Sequence, residues 1–379
     1  MRILSLNGGS SSFKCRLDDL GNRQLPVAPP APLWERHVDL SPGSTIASLL
    51  EPLLASIPGG ADVVGHRVVH GGPFYRESTF LNADVRAAIA REVEFAPAHN
   101  RFELEAIQTV DRVLGAKVPQ VAVFDTAFHV TLSPAAYTYA GPYTWLEQGI
   151  RRYGFHGVSH QYAARRAADM LGRVPPALRL VNCHLGNGAS LAAIRDGQSV
   201  DTTMGFTPLE GLMMGTRSGS IDPAILIYLL RHRGYTAERL HHMLNQESGL
   251  LGVSGVSGDM REVIRAMETG NERARLAFDV YAHRLAREAG AMIAVLGGAD
   301  AIAFTGGVGE NCAPLRARLC SHLGFLGLKL DAGKNEACKP DQDVSAPDSA
   351  ARVLVIRAQE EWEIARECHR LALSSRPPV

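Results

Sequence analysis

Three basic side chains stand apart from one another in loops rich in glycine or proline. Arg67 lies in VGHRVVHGG, His156 in RRYGFHG and Arg217 in MGFTPLEGLMMGTRSG. Cationic groups in such loops could hold two anions together, because two like charges about 4 Å apart repel by roughly 4 kcal/mol at an effective dielectric of 20. Considered one at a time, each arginine has a competing explanation as a surface or salt-bridged residue. The histidine has a competing explanation as an ordinary loop residue.

Three glycine-rich turns, each following a short apolar run, could bind phosphate groups. They are NGGSSS after residues 3–6, HLGNG after 178–183 and TGGVGEN after 301–304. Glycine lets the backbone approach an anion closely and point several N–H groups at it. The P-loop pattern G-x-x-x-x-G-K-[ST] is absent. Any one of these turns has a plain β-turn as its alternative, but three together favour a nucleotide cleft between two related halves.

An aspartate follows a further apolar run at residues 121–124. Asp125 would lie at the carboxyl end of a buried strand, where open α/β sheets bind their ligands. A carboxylate there could hold Mg²⁺, directly or through water. Its alternative role is the N-cap of a helix.

The elements that must position these groups read as alternating strands and helices, which predicts an α/β protein. The stretches LSLNGGSSSFKCRLDD and LVNCHLGNGASLAAIRDG match in pattern, and each predicts a strand, a turn and a second strand. This match predicts an internal duplication with one hairpin opening each half. TGGVGEN is predicted to be a loop that leads into a helix near Pro314.

Helices are predicted at residues 84–94, 101–114, 275–296 and about 360–373, the last after a strand at 353–356. The Pro-rich stretch 23–40 and the polar stretch 331–349 are predicted to lie on the surface. The 379 residues favour two domains, and apolar residues make up 46% of them, enough for two cores.

Bulk composition excludes several classes of protein. The net charge of zero provides no electrostatic case for binding nucleic acid or a membrane surface. The longest weakly charged stretch, 289–309, contains Asp300 and many glycines, so no membrane span is expected. Six scattered cysteines lack metal-ligand spacing and read as free thiols, so a cytoplasmic location is expected.

On these and neighbouring motifs, the sequence resembles the acetate kinases, the acetokinase family of the acetate and sugar kinase, Hsp70 and actin superfamily. Eight stretches carry the resemblance and run in family order: LNGGSSSFK, GHRVVHGG, FDTAFH, RRYGFHGVSH, HLGNGASL, TMGFTPLEGLMMGTRSG, ESGLLGVSG with DMR, and TGGVGEN. QEEWEIA extends the match toward the C-terminus.

The resemblance implies a fold and an activity. The fold would be two related ribonuclease H-like domains of the actin/Hsp70 type with an interdomain nucleotide cleft. The first domain would comprise residues 1–127 and 360–379, and the second, nucleotide-binding domain residues 128–359. The activity would be reversible phosphoryl transfer from ATP to acetate by direct in-line attack, giving acetyl phosphate and ADP. Mg²⁺ is the expected metal, with Mn²⁺ as the alternative, and the resemblance also implies a homodimer.

The resemblance also implies roles for residues. Asp125 would be the catalytic carboxylate that helps to organise the metal, and His156 would stabilise the transition state. Arg67 and Arg217 would hold the acyl carboxylate and the travelling phosphoryl group. The remaining implied residues are the metal ligands Asn7 and Glu360, the acyl-pocket residues Val69, Ala98, Phe155 and Pro208, and the nucleotide contacts Lys14, His184, Leu185, Gly186, Asn187, Gly188, Asp259, Met260, Arg261, Gly307, Val308, Gly309, Glu310 and Asn311.

Two departures from the family pattern matter. Ala98 stands where the family usually has a leucine that lines the acyl pocket, so we expect a larger pocket that accepts propionate better. Arg357, Ala358 and Gln359 replace the usual Pro-Thr-Asn run, which leaves Glu361 as an alternative to Glu360 at the metal.

Three other functions compete with this interpretation. A propionate or other short-chain acyl kinase differs only in the size of the pocket. A non-catalytic ATPase of the actin or Hsp70 kind would share the cleft but would not need Arg67, His156 and Arg217. An inactive regulatory relative would not need to keep every catalytic position.

Overall fold

Strands and helices alternate along the chain, as an α/β protein requires. The structure is a computed structural model that describes residues 1–9, 12–21, 24–39, 45–91, 97–173 and 178–374, the side chains of 97–101 excepted. The strands are β1 Arg2–Gly8, β2 Ser12–Asp19, β3 Trp34–Asp39, β4 Val63–Val68, β5 Thr79–Phe80, β6 Gln120–Phe124, β7 Arg179–Leu185, β8 Ala189–Arg195, β9 Gln198–Thr202, β10 Ala301–Thr305, β11 Gln342–Asp343 and β12 Arg352–Val355.

Fifteen α-helices occur in these described ranges, and two 3₁₀ turns lie at Ala127–Thr131 and Gly324–Leu326. The helices are α1 Ile46–Ala55, α2 Ala83–Arg91, α3 Pro97–Val113, α4 Pro134–Tyr137, α5 Tyr143–Glu147, α6 Gly157–Met170, α7 Pro223–His232, α8 Ala237–Gln246, α9 Gly249–Ser254, α10 Met260–Glu268, α11 Glu272–Leu296, α12 Gly306–Asn311, α13 Ala313–His322, α14 Ala332–Glu336 and α15 Glu360–Ser374. Where residues are described, no helix combines the length and apolar character that crossing a membrane requires.

The chain divides into two compact units. The first comprises Met1–Val130, His156–Tyr162 and Gln359–Val379, and the second comprises Thr131–Phe155 and Ala163–Ala358. The expected domain limits, 1–127 with 360–379 against 128–359, stay a prediction.

The first unit is built on a mixed six-stranded sheet in the order β3-β2-β1-β4-β6-β5. The hairpin β1–β2 and the edge strand β3 are antiparallel, whereas β1, β4 and β6 run parallel. Apolar side chains of β1 and β2 pack in one core cluster with Leu50 of α1 and Val110 of α3. Helix α15 lies against β4, where a Cβ on Gly65 would come within 2.4 Å of Cys368 Sγ. The sequence therefore leaves no side chain at Gly65, so that the helix can pack closely.

The second unit repeats this arrangement in the order β11-β12-β10-β7-β8-β9. Its hairpin β7–β8 and edge strand β9 are antiparallel, β7, β10 and β12 are parallel, and the short β11 is antiparallel at the far edge. The predicted pair of matching hairpins is confirmed by this identical strand order. Helix α11 begins three residues earlier than predicted, because the Asn271 side chain caps it by accepting from the Ala274 N–H.

The structure corrects one prediction made from the sequence and adds detail to two others. Residues 306–311 form helix α12 rather than a loop, since the Glu310 carboxylate accepts from the Gly306 N–H and offsets the poor helix propensity of glycine. The predicted surface stretch 23–40 is exposed or partly exposed at every described residue except Trp34, and it contains the edge strand β3, which pairs with β2. The predicted surface stretch 331–349 is likewise mostly exposed or partly exposed, although it contains α14 and β11 and buries Asn335, Val344 and Ser345.

Candidate active site

In the first unit, an arginine and an aspartate meet at the ends of two parallel strands. Strands β4 and β6 pair through Val68 and Phe124, so Arg67 and Asp125 emerge side by side. Arg67 Nη2 donates to Asp125 Oδ2 at 2.8 Å, and Nη1 donates to the Gly8 carbonyl at 2.9 Å. Burial lowers the pKa of Arg67, but the carboxylates of Asp125 and Glu360 outweigh burial and raise it. The guanidinium therefore stays charged, and its remaining surface is available to an anion.

Asp125 is fully buried and also accepts backbone N–H groups from the start of helix α6. The N–H of His156 donates to Oδ2 at 2.8 Å, and the N–H of Val158 approaches Oδ1 at 3.4 Å. A Cβ on Gly157 would lie 2.2 Å from the Asp125 carbonyl oxygen, so only glycine allows this approach. Asp125 therefore accepts from the N-terminus of helix α6 and stands at the end of a strand, whereas its part in holding Mg²⁺ stays a prediction.

His156 has a left-handed backbone conformation, with φ of 57°. A non-glycine residue in this region is uncommon and costs of order 1–3 kcal/mol, which the surrounding structure must offset. The bond from its N–H to Asp125 is one such compensation. Strain of this kind is most common at functional sites. It is therefore a second reason, besides the sequence, to regard His156 as a candidate site residue.

Glu103 was missed by the sequence analysis. This residue of α3 is buried, and its Oε2 accepts from the N–H of Val69 at 3.1 Å. Burial raises the pKa of Glu103 well above its usual range, although Arg67 pulls the pKa down. A sequence signal exists, because Glu103 shares a helical face with the buried residues Ala106, Ile107 and Val110. An acidic residue on an apolar helix face is uncommon, so the sequence alone could have identified Glu103 as a candidate site residue.

The predicted metal residues lie together in the first unit. Asn7 Nδ2 donates to Glu360 Oε2 at 2.7 Å and to Glu361 Oε1 at 2.8 Å. Lys14 Nζ stands 3.8 Å from Glu361 Oε1 and leaves 45% of its side chain exposed. One amide and two carboxylates supply hard oxygen donors of the kind that Mg²⁺ prefers. The two carboxylates suit a magnesium ion, whereas Asn7 turns its amide nitrogen toward both of them, and Glu360 and Glu361 are equally close to Asn7.

In the second unit, Arg217 is oriented by the loop that contains Pro208. Arg217 Nη1 donates to the Pro208 carbonyl at 2.8 Å. Gly249, with φ of 64°, lies where a Cβ would come 2.2 Å from the Met214 carbonyl and 2.8 Å from the Arg217 carbonyl. The backbone that carries Arg217 is thus packed directly against the start of helix α9.

The predicted nucleotide turns of the second unit lie close together. His184 and Leu185 belong to the end of β7, and Gly186 closes a turn by donating its N–H to the Gly188 carbonyl at 2.9 Å. Gly306, with φ of 79°, lies where a Cβ would be 2.8 Å from the Leu185 carbonyl. The turn 186–188 and the start of α12 therefore form one glycine-rich backbone surface.

Other predicted nucleotide residues make contacts within this unit. Glu310 Oε1 accepts from the N–H groups of Gly306 at 3.1 Å and Ala358 at 2.9 Å. Asp259 caps helix α10 and pairs with Arg261 at 2.6 Å. Met260, at the start of α10, is buried.

Two further residues belong to α12. Asn311 Nδ2 donates to the Gly307 carbonyl, and Glu310 ties the start of the helix to residue 358. A Cβ on Gly307 would face open space.

The predicted acyl-pocket residues divide between the units. Val69 belongs to the first unit, whereas Phe155 and Pro208 belong to the second, and Val69 and Phe155 are buried. Ala98 falls in helix α3, but its side chain lies outside the described residues.

The chain was compared with known proteins. The profile described as the Acetokinase family matches residues 46–366. An acetate kinase of Gloeobacter violaceus is 54% identical over 399 aligned positions, which cover 97% of this chain and 98% of the relative. The solved acetate kinase of Porphyromonas gingivalis superposes with a TM-score of 0.86 at 35% identity, covering 98% of this chain and 99% of that one. A solved propionate kinase of Francisella tularensis superposes with a TM-score of 0.87 at 36% identity, covering 97% of this chain and 99% of that one.

Proposed function

The chain belongs to the acetokinase family, and we propose that it transfers the γ-phosphoryl group of ATP reversibly to the carboxylate of acetate, forming acetyl phosphate and ADP. The observation that carries the proposal is the near-full-length match to proteins named acetate kinase. It implies a phosphotransferase with a carboxyl acceptor.

The chemistry of the acceptor agrees with the side chains present. A carboxylate with an ordinary pKa near 4–5 is ionised at neutral pH, so it needs no general base. The difficulty is to bring this anion up to the anionic γ-phosphate. Arg67 is a buried, permanently charged group whose position is fixed by Asp125 and the Gly8 carbonyl. Arg67 and Arg217 would offset the repulsion, and His156 would stabilise the charge on the transferring group.

The backbone of the second unit supports the nucleotide part of the proposal. N–H groups of residues 187–188 and 307–308 would contact the phosphates of ATP, since those of Gly186 and Gly306 already donate to the Gly188 carbonyl and to Glu310. Asn7, Glu360 and Glu361 would hold Mg²⁺. The metal would neutralise charge on the β- and γ-phosphates, and Asp125 would act by orienting Arg67 and the start of α6. Attack is proposed to be direct and in line, and net retention at a chiral phosphorus would contradict it.

Propionate is the second candidate acceptor. The observation in its favour is Ala98, which replaces the leucine usual in the family and removes three heavy atoms from the predicted pocket. One methylene in a pocket changes discrimination by only about 1–3 kcal/mol, so the two acids would differ modestly.

The test is ADP formation with formate, acetate, propionate and butyrate in turn, on the wild type and on Arg217→Ala. We expect acid-dependent ADP formation that is greatest with acetate, and its loss by a factor of about 10³ or more in Arg217→Ala. Arg318→Ala serves as the matched control, because this arginine of the same unit is 48% exposed and pairs with Asp279 on the surface. Absence of acid-dependent turnover in the wild type would contradict the proposal.

We also propose a homodimer. Helix α11 packs its apolar face inside the second unit, where ten of its residues are buried. Helix α7 is the better candidate, since none of its residues is buried and Ile225, Ile227, Tyr228 and Leu230 are each more than 40% exposed. Apolar faces of this kind mark interfaces. Ile227→Glu should convert a dimer to a monomer in sedimentation velocity, and an unchanged mass would contradict this assignment.

A further inference from the structure

Three polar side chains from separate parts of the second unit meet beside the loop of residues 205–208. Tyr139, Arg152 and Glu210 form this cluster, which we call the brace. Arg152 Nη2 donates to Glu210 Oε1 at 2.7 Å, and the Tyr139 hydroxyl donates to the other carboxylate oxygen. Both oxygens of Glu210 are therefore engaged by side chains that lie far from it in the sequence.

The brace holds the backbone on both sides of Gly205. Arg152 Nη1 donates to three successive carbonyl oxygens at 3.0–3.1 Å, those of Thr202, Thr203 and Met204. On the other side, the N–H of Phe206 donates to the Tyr139 hydroxyl at 2.8 Å. One guanidinium and one phenol thus fix the path of the chain into and out of this residue.

Gly205 lies directly against the brace. A Cβ there would lie 1.7 Å from Glu210 Oε2 and 2.1 Å from the Tyr139 hydroxyl. Its carbonyl accepts from the N–H groups of Tyr153 at 3.0 Å and Gly154 at 3.3 Å. The loop is therefore pressed against the brace by its backbone, and the absence of a side chain makes this contact possible.

The loop leads directly to the predicted acyl site. Pro208 follows Gly205 by three residues, and its carbonyl oxygen accepts from Arg217 Nη1 at 2.8 Å. A shift of the loop would move both the Pro208 ring and the acceptor that orients Arg217. We propose that Glu210, held by Tyr139 and Arg152, is a positioning residue that sets carboxylate affinity and acyl chain-length selectivity through this loop.

This inference rests on the proposed function, because Pro208 and Arg217 act on the acid only if the acid is the acceptor. In this proposal, the residues of the brace do not contact the substrate. Misplacement by 1 Å far from the chemistry can reduce a rate on the order of 10²-fold, so a loosened loop would have a measurable effect.

The test compares Glu210→Ala, Glu210→Gln and Tyr139→Phe by steady-state kinetics with acetate and propionate. We expect Glu210→Ala to lower kcat/KM for acetate by about 10- to 100-fold and to raise the propionate-to-acetate ratio, while the KM for ATP changes by less than about twofold. Tyr139→Phe should shift both quantities in the same direction but less. Glu210→Gln keeps an oxygen acceptor and similar length, so it should restore most of the wild-type acid selectivity.

Asp343→Ala is the matched control, since Asp343 pairs with Arg352 at 2.7 Å in the same unit and is 31% exposed, against 32% for Glu210. It should leave the propionate-to-acetate ratio unchanged. An unchanged ratio in both Glu210→Ala and Tyr139→Phe, or an equal rise in the control, would overturn the proposal. If Glu210→Ala fails to fold, Tyr139→Phe and Glu210→Gln decide by the same ratio. Wild type that phosphorylates no short carboxylate would instead refute the proposed function.

Discussion

The ends of equivalent strands carry different residues in the two units. The parallel strand β4 carries Arg67 and its counterpart β10 leads into Gly306, although the two sheets have the same strand order. Strand β6 ends at the buried Asp125, whereas its counterpart β12 is followed by Ile356 and Arg357. At β4 and β10, the same topology thus positions an ionised side chain in one unit and glycine-rich backbone in the other.

This difference predicts opposite sensitivities to substitution. A buried ion pair is vulnerable when one partner is removed, because the other charge is left without compensation. Binding by backbone N–H groups does not depend on which side chains are present, but a Cβ added at a closely packed glycine displaces the backbone and disrupts it. The following predictions test that contrast.

The largest effect is expected at the charged end of β4. Arg67→Ala should lower kcat/KM by about 10³- to 10⁵-fold, because in the proposed mechanism Arg67 supplies a fixed positive charge to the transferring group. It should also lower the free energy of unfolding by about 3–5 kcal/mol, since Asp125 is left buried without its partner. Steady-state kinetics and urea denaturation measure the two effects.

Arg112→Ala is the control for this prediction, because that arginine of the first unit is 51% exposed. Arg67→Lys keeps the charge but cannot reach both Asp125 and the Gly8 carbonyl in the same way. We expect it to fold well and still lose most activity. Activity of Arg67→Ala within tenfold of wild type would contradict the role of the buried charge.

A smaller effect is expected where the second unit depends on backbone. Gly306→Ala should lower the free energy of unfolding by about 1–3 kcal/mol, because φ is 79° and the new Cβ would lie 2.8 Å from the Leu185 carbonyl. The KM for ATP should rise as the turn is displaced. Gly307→Ala is the stability control, since its Cβ would meet nothing within 4 Å. Equal stability of the two variants would remove the argument from backbone approach.

The acyl pocket should respond still less. Ala98→Leu should lower kcat/KM for propionate relative to acetate by about tenfold, because in the proposed site the added side chain would refill the acyl pocket. The two acids are compared at saturating ATP, with Ala98→Gly as the control in the opposite direction. A propionate-to-acetate ratio that stays constant across the three proteins would show that residue 98 does not determine chain length.

Much of the fold followed from local patterns in the sequence. The two matching hairpins were predicted because alternating apolar residues and glycine-rich turns are short-range signals, and the α/β class with two related units is confirmed by the sheets and by solved relatives. Asp125 was predicted from its place after an apolar run, and the structure puts it at the end of β6.

The brace shows what local patterns cannot reveal. Tyr139 and Glu210 are 71 residues apart, and Arg152 and Glu210 are 58 apart, so their bonds exist only after the unit has folded. Helix α12 was missed for a related reason, because its glycines predict a loop until the carboxylate of Glu310 is known to bond the Gly306 N–H. The charge on Glu103 also depends on burial, which is a property of the fold.

The smallest effect concerns that buried acid, and it appears as a dependence on pH. Burial raises the pKa of Glu103 in the folded state above the ordinary value of 4.5. The stability that this proton binding contributes is fully present below 4.5 and is lost as the pH rises through the folded-state pKa. Glu103→Gln cannot ionise, yet it keeps an oxygen that can accept from the Val69 N–H. Wild type should therefore lose stability relative to this variant as the pH rises.

Urea denaturation of the two proteins over a pH series measures this difference. Burial also lowers the pKa values of His66 and His70 to about 4, so their contribution is present above 6.5 and is lost as the pH falls through about 4. Both proteins contain these histidines, and their effect cancels when the free energies of unfolding are subtracted. Glu105→Gln, on the same helix, controls for loss of an acid in α3. If the difference between wild type and Glu103→Gln is constant with pH, Glu103 is not held as a neutral acid, and the charge balance around Arg67 must include a second buried carboxylate besides Asp125.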